Sequence, residues 1–127
     1  RTRNAQILIN ELSNIESLRV PIPGLDIRHA WYKFNCFIKV NKLKKGWSRD
    51  KLIKTIREKG FPAFQGSCSE LYLENCFNKP KKMIKRLPIA KELGETNICF
   101  LIHPTIPEDI MLKYGKIVRD IILQASI

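Results

Sequence analysis

Thr96-Asn-Ile-Cys-Phe-Leu-Ile102 is the stretch that most limits what this chain can fold into. A near-continuous apolar run of this length reads as a strand with both faces hidden. Such a strand needs partners beside it in a sheet and cover on the sheet. His103-Pro104 ends the run, and the segment after it supplies cover. Thr105-Ile-Pro-Glu108 has capping-box spacing, and Ile110, Met111, Tyr114, Ile117, Val118, Ile121 and Ile122 fall on one broad helical face. A sheet with a helix laid on it is the minimum consequence.

The remaining segments fill in that plan. His29 to Asn41 is rich in aromatic and β-branched residues, with Trp31, Lys33 and Asn35 alternating against Tyr32, Phe34 and Cys36. It reads as the longest strand. Arg1 to Leu18 spaces Leu8, Leu12, Ile15 and Leu18 as one amphipathic helix, and Pro21, Pro23 and Gly24 then give an extended connector. Ser48 is placed to cap a helix over 49–59, with Leu52, Ile53 and Ile56 as its apolar stripe and Gly60 as its stop. Phe61 to Phe64 reads as a short strand. Asn78 to Arg86 is a basic, extended loop. Pro88 opens and Gly94 closes a brief helix. The fold class this predicts is α+β, a small, mainly antiparallel sheet covered by helices.

With 127 residues the chain is sized for one domain, and no apolar run approaches the roughly 18 residues of a membrane span. No membrane partner is expected. No secretory signal is visible at Arg1, and Cys36, Cys68, Cys76 and Cys99 stand at gaps that match no zinc pattern. Free thiols, no metal and a cytoplasmic setting follow as expectations. The charge is uneven: residues 1–86 carry 19 basic and 7 acidic side chains, residues 87–127 carry 4 and 5. A strongly positive surface attracts nucleic acid, anionic lipid or a phosphorylated small molecule.

The candidate site is the loop after Gly60-Phe61-Pro62. Gln65, Ser67, Cys68, Ser69, Glu70 and Tyr72 put amide, hydroxyl, thiol, carboxylate and phenol groups into one turn region. Ser67-Cys68-Ser69-Glu70 also has capping-box spacing, which predicts a short helix through Cys76 or Phe77 whose free N–H groups would attract an anion such as phosphate. His103, at the end of the buried strand, is a second candidate, set against a plain turn role before Pro104. Cys68 beside a helix start has the makings of an activated thiolate, but no orienting third group is evident.

In order and spacing these segments resemble the C-terminal small domain of the DegT/StrS family of pyridoxal-phosphate-dependent sugar aminotransferases. The resemblance rests on Arg3-Asn4-Ala5, His29-Ala-Trp-Tyr-Lys-Phe34, Gly60-Phe61-Pro62, Gly66-Ser-Cys-Ser-Glu-Leu-Tyr72, Leu87-Pro88 with Ala90 and Leu93-Gly94, and His103-Pro104. It implies a linking helix over 1–20 and a small domain over 28–127. It also implies a homodimer, and pyridoxal 5'-phosphate bound mainly by an N-terminal large domain. The reaction implied moves an amino group, typically from glutamate, to a nucleotide-linked keto-sugar. Under it, Gln65, Ser67, Cys68, Ser69, Glu70, Tyr72 and His103 are substrate-binding and none is catalytic. The alternative of a different class is a basic, stand-alone nucleic-acid-binding module, which the resemblance makes the lesser reading.

Overall fold

The computed structural model describes residues 1–77 and 85–127. Among them four strands, β1 (Leu18–Arg19), β2 (Phe34–Ile38), β3 (Ala63–Phe64) and β4 (Asn97–Phe100), form one antiparallel sheet in the order β1-β2-β4-β3. The helices are α1 (Thr2–Leu12), α2 (Arg49–Glu58), α3 (Pro88–Thr96) and α4 (Glu108–Ala125). The α+β expectation holds, and the apolar run over Thr96–Ile102 does supply a central strand, β4, paired on both sides. Among the described residues no helix is long and apolar enough to cross a membrane.

The register sorts side chains by face, because directly opposed residues in antiparallel strands share one. Leu18 faces Ile38, Cys36 faces Ile98, and Phe34, Phe100 and Ala63 stand in one row. All seven are buried. This inner face meets α1, α2 and α4: Tyr114 of α4 sets its ring edge-on to Phe100 and face-on to Phe61 at 5.0 Å. Ala5, Leu8 and Leu12 of α1 join the same core, so the first helix is part of the domain rather than an appendage. The outer face carries Arg19, Phe37 and Asn97 in one row and Asn35, Cys99 and Phe64 in the next. Helix α3 lies over part of it, with Glu92 and Leu93 lining depressions they share with Phe37.

Helix α2 forms as its sequence dictates. The Ser48 hydroxyl accepts from the Lys51 N–H at 3.2 Å, and Leu52, Ile53 and Ile56 are buried. At the other end Gly60 takes φ +85° while the Gly60 and Phe61 N–H groups bond the Arg57 and Ile56 carbonyls. This is the glycine-closed helix end that the sequence predicts.

Four expectations change. Helix α1 stops at Leu12, because two tight turns then carry Ile15 and Leu18 into the core and Leu18 pairs with Ile38 in the sheet. The His29 strand shrinks to Phe34–Ile38, still the longest: Trp31 takes φ +50°, held there as its N–H donates to the His29 ring at 2.9 Å. Helix α3 runs through Gly94 to Thr96. Gly94 is small because the Ser69 side chain sits where its Cβ would go. The Thr105 box does not form either; α4 begins after Pro107 and the Thr105 hydroxyl bonds the His103 ring at 2.7 Å. Glu108 and Asp109 in the first turn suit the helix dipole instead.

Candidate functional site

The loop that leaves β3 turns at Gly66, whose φ of +86° only glycine adopts without strain. Two residues at the start of α2 anchor it. Gln65 donates from Nε2 to Asp50 Oδ1 at 3.1 Å, and Arg49 pairs with the same carboxylate at 2.5 Å. The Arg49 guanidinium also donates to the Gly94 and Asn97 carbonyls at 2.9 and 3.2 Å. One part-buried arginine thus ties the helix start, the loop and the α3–β4 junction together.

Among the described residues no α-helix forms over 67–77. Leu71–Leu73 and Asn75–Phe77 are single 3-10 turns, and neither the Ser67 hydroxyl nor any other side chain caps the first of them. The expected capping box is therefore absent, and with it the anion-attracting helix start. Glu70 is committed elsewhere. Its two oxygens accept from the forked Arg86 guanidinium, through Nε at 2.8 Å and through Nη2, and Oε1 also accepts from the Tyr72 hydroxyl at 2.8 Å. The Tyr72 oxygen in turn accepts from the Leu87 N–H at 2.9 Å. Arg86 holds the Glu70 carboxyl down at about 2, and burial pushes the Tyr72 phenol up, so the clamp stays charged on one side and protonated on the other. The residues of the predicted basic loop from Asn78 to Met83 and Ile84 lie outside the described residues; Arg86 belongs to this clamp.

Of the seven candidates, Gln65, Ser67, Cys68, Ser69 and Glu70 line one shallow depression of about 380 Å³, together with Glu74 and Glu95. Tyr72 is joined to it only through Glu70. His103 is not brought there. The register runs the loop off β3 beside Asn97, whereas His103 lies past Phe100 at the other end of β4. Six residues of extended chain separate them by roughly 20 Å. The His103 ring bonds Thr105, its carbonyl accepts from Asn4 Nδ2 at 2.9 Å, and it behaves as a turn residue. Cys68 donates to Glu74 Oε1 at 3.1 Å, and that carboxylate raises the thiol pKa, the reverse of what a nucleophile needs. All four cysteines are free thiols.

Three residues the sequence did not single out complete the surroundings. Asn35, Phe37 and Asn97 line a second depression of about 230 Å³ with Ser67, Cys68 and Ser69. Asn35 was visible in the alternation of its strand; the meeting of the three with the loop depends on strand pairing.

The fold and this geometry can be set beside known structures. An aminotransferase from Psychrobacter cryohalolentis superposes with a TM-score of 0.86 at 38% identity, over 97% of this chain and 33% of that one. The chain has the fold of a DegT/StrS-type aminotransferase domain. A DegT DnrJ EryC1 StrS aminotransferase from Brucella abortus shares it at TM-score 0.73 and 19% identity, over 94% of this chain and 29% of that one. Aminotransferase TlmJ from Streptoalloteichus hindustanus does so at 0.77 and 17%, over 97% and 32%. The chain spans about a third of the length of the solved structures it matches. No family model and no curated protein matches it. The resemblance to a C-terminal small domain of that family, read from the sequence, is borne out at the level of the fold.

The described residues do not supply the lysine that pyridoxal phosphate chemistry uses. An aldimine lysine is a desolvated amine in a closed pocket. Among the described residues no lysine is buried. For the nucleic-acid reading, several aromatic rings are engaged by neighbours, while Tyr32 stands exposed. Single-strand readers offer open ring faces to bases. Here Arg19 covers Phe37 at 4.2 Å, Lys51 covers Trp47 at 4.6 Å, Arg57 covers Phe64 at 5.2 Å, and Trp31 stacks on Phe34.

Proposed function

We propose that this chain is the substrate-side small domain of a pyridoxal-phosphate-dependent aminotransferase. Its substrate is a nucleotide-linked keto-sugar in cell-surface polysaccharide or secondary-metabolite sugar synthesis, and an amino acid, expected to be glutamate, supplies the amino group. The observation that carries the reading is the 38% identity, sustained over 97% of the chain, with the Psychrobacter cryohalolentis aminotransferase.

In this reading the cofactor and its lysine belong to an N-terminal large domain, the working form is a cytoplasmic homodimer, and the domain alone is inactive. Gln65, Ser67, Cys68 and Ser69 face substrate. Glu70 and Tyr72 act one step back: their hydrogen bonds to Arg86 and Leu87 hold the loop against α3. His103 serves the turn before Pro104.

The test begins with the coding sequence upstream of Arg1. An in-frame large domain with a candidate aldimine lysine is expected. The extended protein should then show the cofactor's absorption and transfer nitrogen from glutamate to a nucleotide-linked keto-sugar, while residues 1–127 alone do neither. A start codon directly before Arg1 with no such domain in frame, or an extended protein with no amino transfer, overturns the reading.

A further inference from the structure

We propose that the apolar side of α3, formed by Leu87, Pro88, Ile89, Ala90 and Leu93, is the surface on which the large domain docks. The inference rests on the aminotransferase reading and says which face of this domain meets the part that carries the cofactor.

The helix itself supplies the first argument. Helix α1 buries five residues, α2 three and α4 seven, whereas α3 buries Thr96 alone. A helix of nine residues is marginal in water, and helices this short owe their stability to an apolar face packed on something. Ile89, Ala90 and Leu93 are spaced to share one side of the helix, and that side is open. Ile89 is 73% exposed, and Leu87, just before the helix, 57%. With Pro88 and Ser69 these residues line a depression of about 530 Å³ that holds no charged side chain. Leu71 and Leu73, also exposed, flank Tyr72, whose hydroxyl accepts from the Leu87 N–H. The neighbouring charges are spent on one another: Arg86 pairs with Glu70 and Glu95, and Lys91 with Glu95 at 3.9 Å. An apolar centre beside self-neutralised charges is how a protein interface is built.

Length and charge choose the occupant. This chain covers 33% of the aminotransferase to which it is 38% identical, so a protein built like that one has most of its polypeptide outside residues 1–127. A second copy of this domain is the poorer occupant, because each copy carries a net charge of +11 and a charge far from zero keeps domains apart. A small molecule is poorer too. Sites for small molecules enclose what they bind, and here Leu87 and Ile89 stand out into solvent. Ser69 lines this face and also both depressions beside Cys68. Docking on α3 therefore sets the large domain against the edge of the Gln65 to Tyr72 loop.

The experiment compares hydrogen exchange, read by mass spectrometry, in residues 1–127 and in the extended protein. Amides over 88–96 should exchange about tenfold more slowly in the extended protein, the worth of burying one Leu or Ile side chain. Ile89→Asp puts an acid in the first turn of α3, where the helix dipole accepts it. It should leave the urea midpoint of residues 1–127 unchanged and remove the added protection from the extended protein. Equal exchange in the two proteins, protection that survives Ile89→Asp, or a lowered midpoint for Ile89→Asp in residues 1–127 overturns the proposal. So does protection in residues 1–127 that grows with protein concentration, which assigns the face to a second copy. A coding sequence with no upstream domain removes the inference and the aminotransferase reading together. Otherwise the two separate: amino transfer without protection of 88–96 refutes the docking alone, and protection without amino transfer refutes the reading alone.

Discussion

Replacing Gly66 by alanine separates two costs that the structure keeps apart. Gly46, Gly60 and Gly66 all lie in the left-handed region, at φ +84°, +85° and +86°. An alanine there costs about 1–2 kcal/mol through its own backbone. At Gly46 and Gly60 the added methyl meets nothing within 4 Å. At Gly66 it would run into the Asn97 side chain, whose Cγ lies 2.7 Å and Cβ 3.4 Å from the new carbon. Asn97 cannot step aside freely, because its carbonyl is held by Arg49 and its side chain is wedged between loop and sheet. Overpacking of this kind costs a further ~1–3 kcal/mol. Gly60→Ala should therefore lose about 1–2 kcal/mol and Gly66→Ala about 2–5 kcal/mol. Urea unfolding followed by the fluorescence of Trp31 and Trp47 gives both values. Adding Asn97→Ala to Gly66→Ala should restore about 1–3 kcal/mol, the overpacking part, as the coupling of a double-mutant cycle. Equal losses at Gly60 and Gly66, or no coupling to Asn97, would refute the claim that Gly66 is fixed by the amide beside it.

Three further outcomes are expected. Arg49→Met keeps the apolar stem but abandons the Gly94 and Asn97 carbonyls, and should cost about 1–3 kcal/mol in urea unfolding, with Arg49→Lys restoring little because a point charge does not replace the fork. Glu70 has a folded-state pKa of about 2, below its unfolded value of about 4.3, so its clamp contributes fully above that unfolded value and is lost as pH falls toward 2. The unfolding free energy measured across that window should fall more for the parent chain than for Glu70→Gln. Iodoacetamide should reach the buried Cys36 and Cys99 only on unfolding, and Glu74→Gln should speed the alkylation of Cys68 near pH 8 by removing the carboxylate that raises its pKa.

What the sequence made legible was what its neighbours in the chain decide. Ser48 and Gly60 bound helix α2 because a hydroxyl and a left-handed glycine act within one turn of their own position. The apolar run Thr96–Ile102 announced the central strand, which the fold shortens to Asn97–Phe100 with Thr96 ending α3 and Leu101 exposed. The failures share the opposite property. Ser67-Cys68-Ser69-Glu70 has capping-box spacing, yet Glu70 is drawn off by Arg86, sixteen residues on. Gly94 looked like a helix stop and is instead the place where Ser69 comes close.

The same distinction explains why the loop was found and the face beside it was not. Gln65 to Tyr72 declares itself by packing unlike polar groups into one short stretch. Asn35 and Asn97 are single amides in apolar strands, and nothing within either strand separates them from residues that simply face water. They become a pair only because β2 and β4 align Phe37 with Asn97, a register set by the inner row of Phe34, Phe100 and Ala63. Shifting β2 by one residue against β4 would turn Phe34, Cys36 and Ile38 outward and expose three core side chains. The burial that fixes the core therefore also fixes which polar residues meet on the opposite side. In this domain the site's geometry is a by-product of core register, and a core substitution that loosened β2 against β4 should disturb Asn35 and Asn97 before it disturbs the loop.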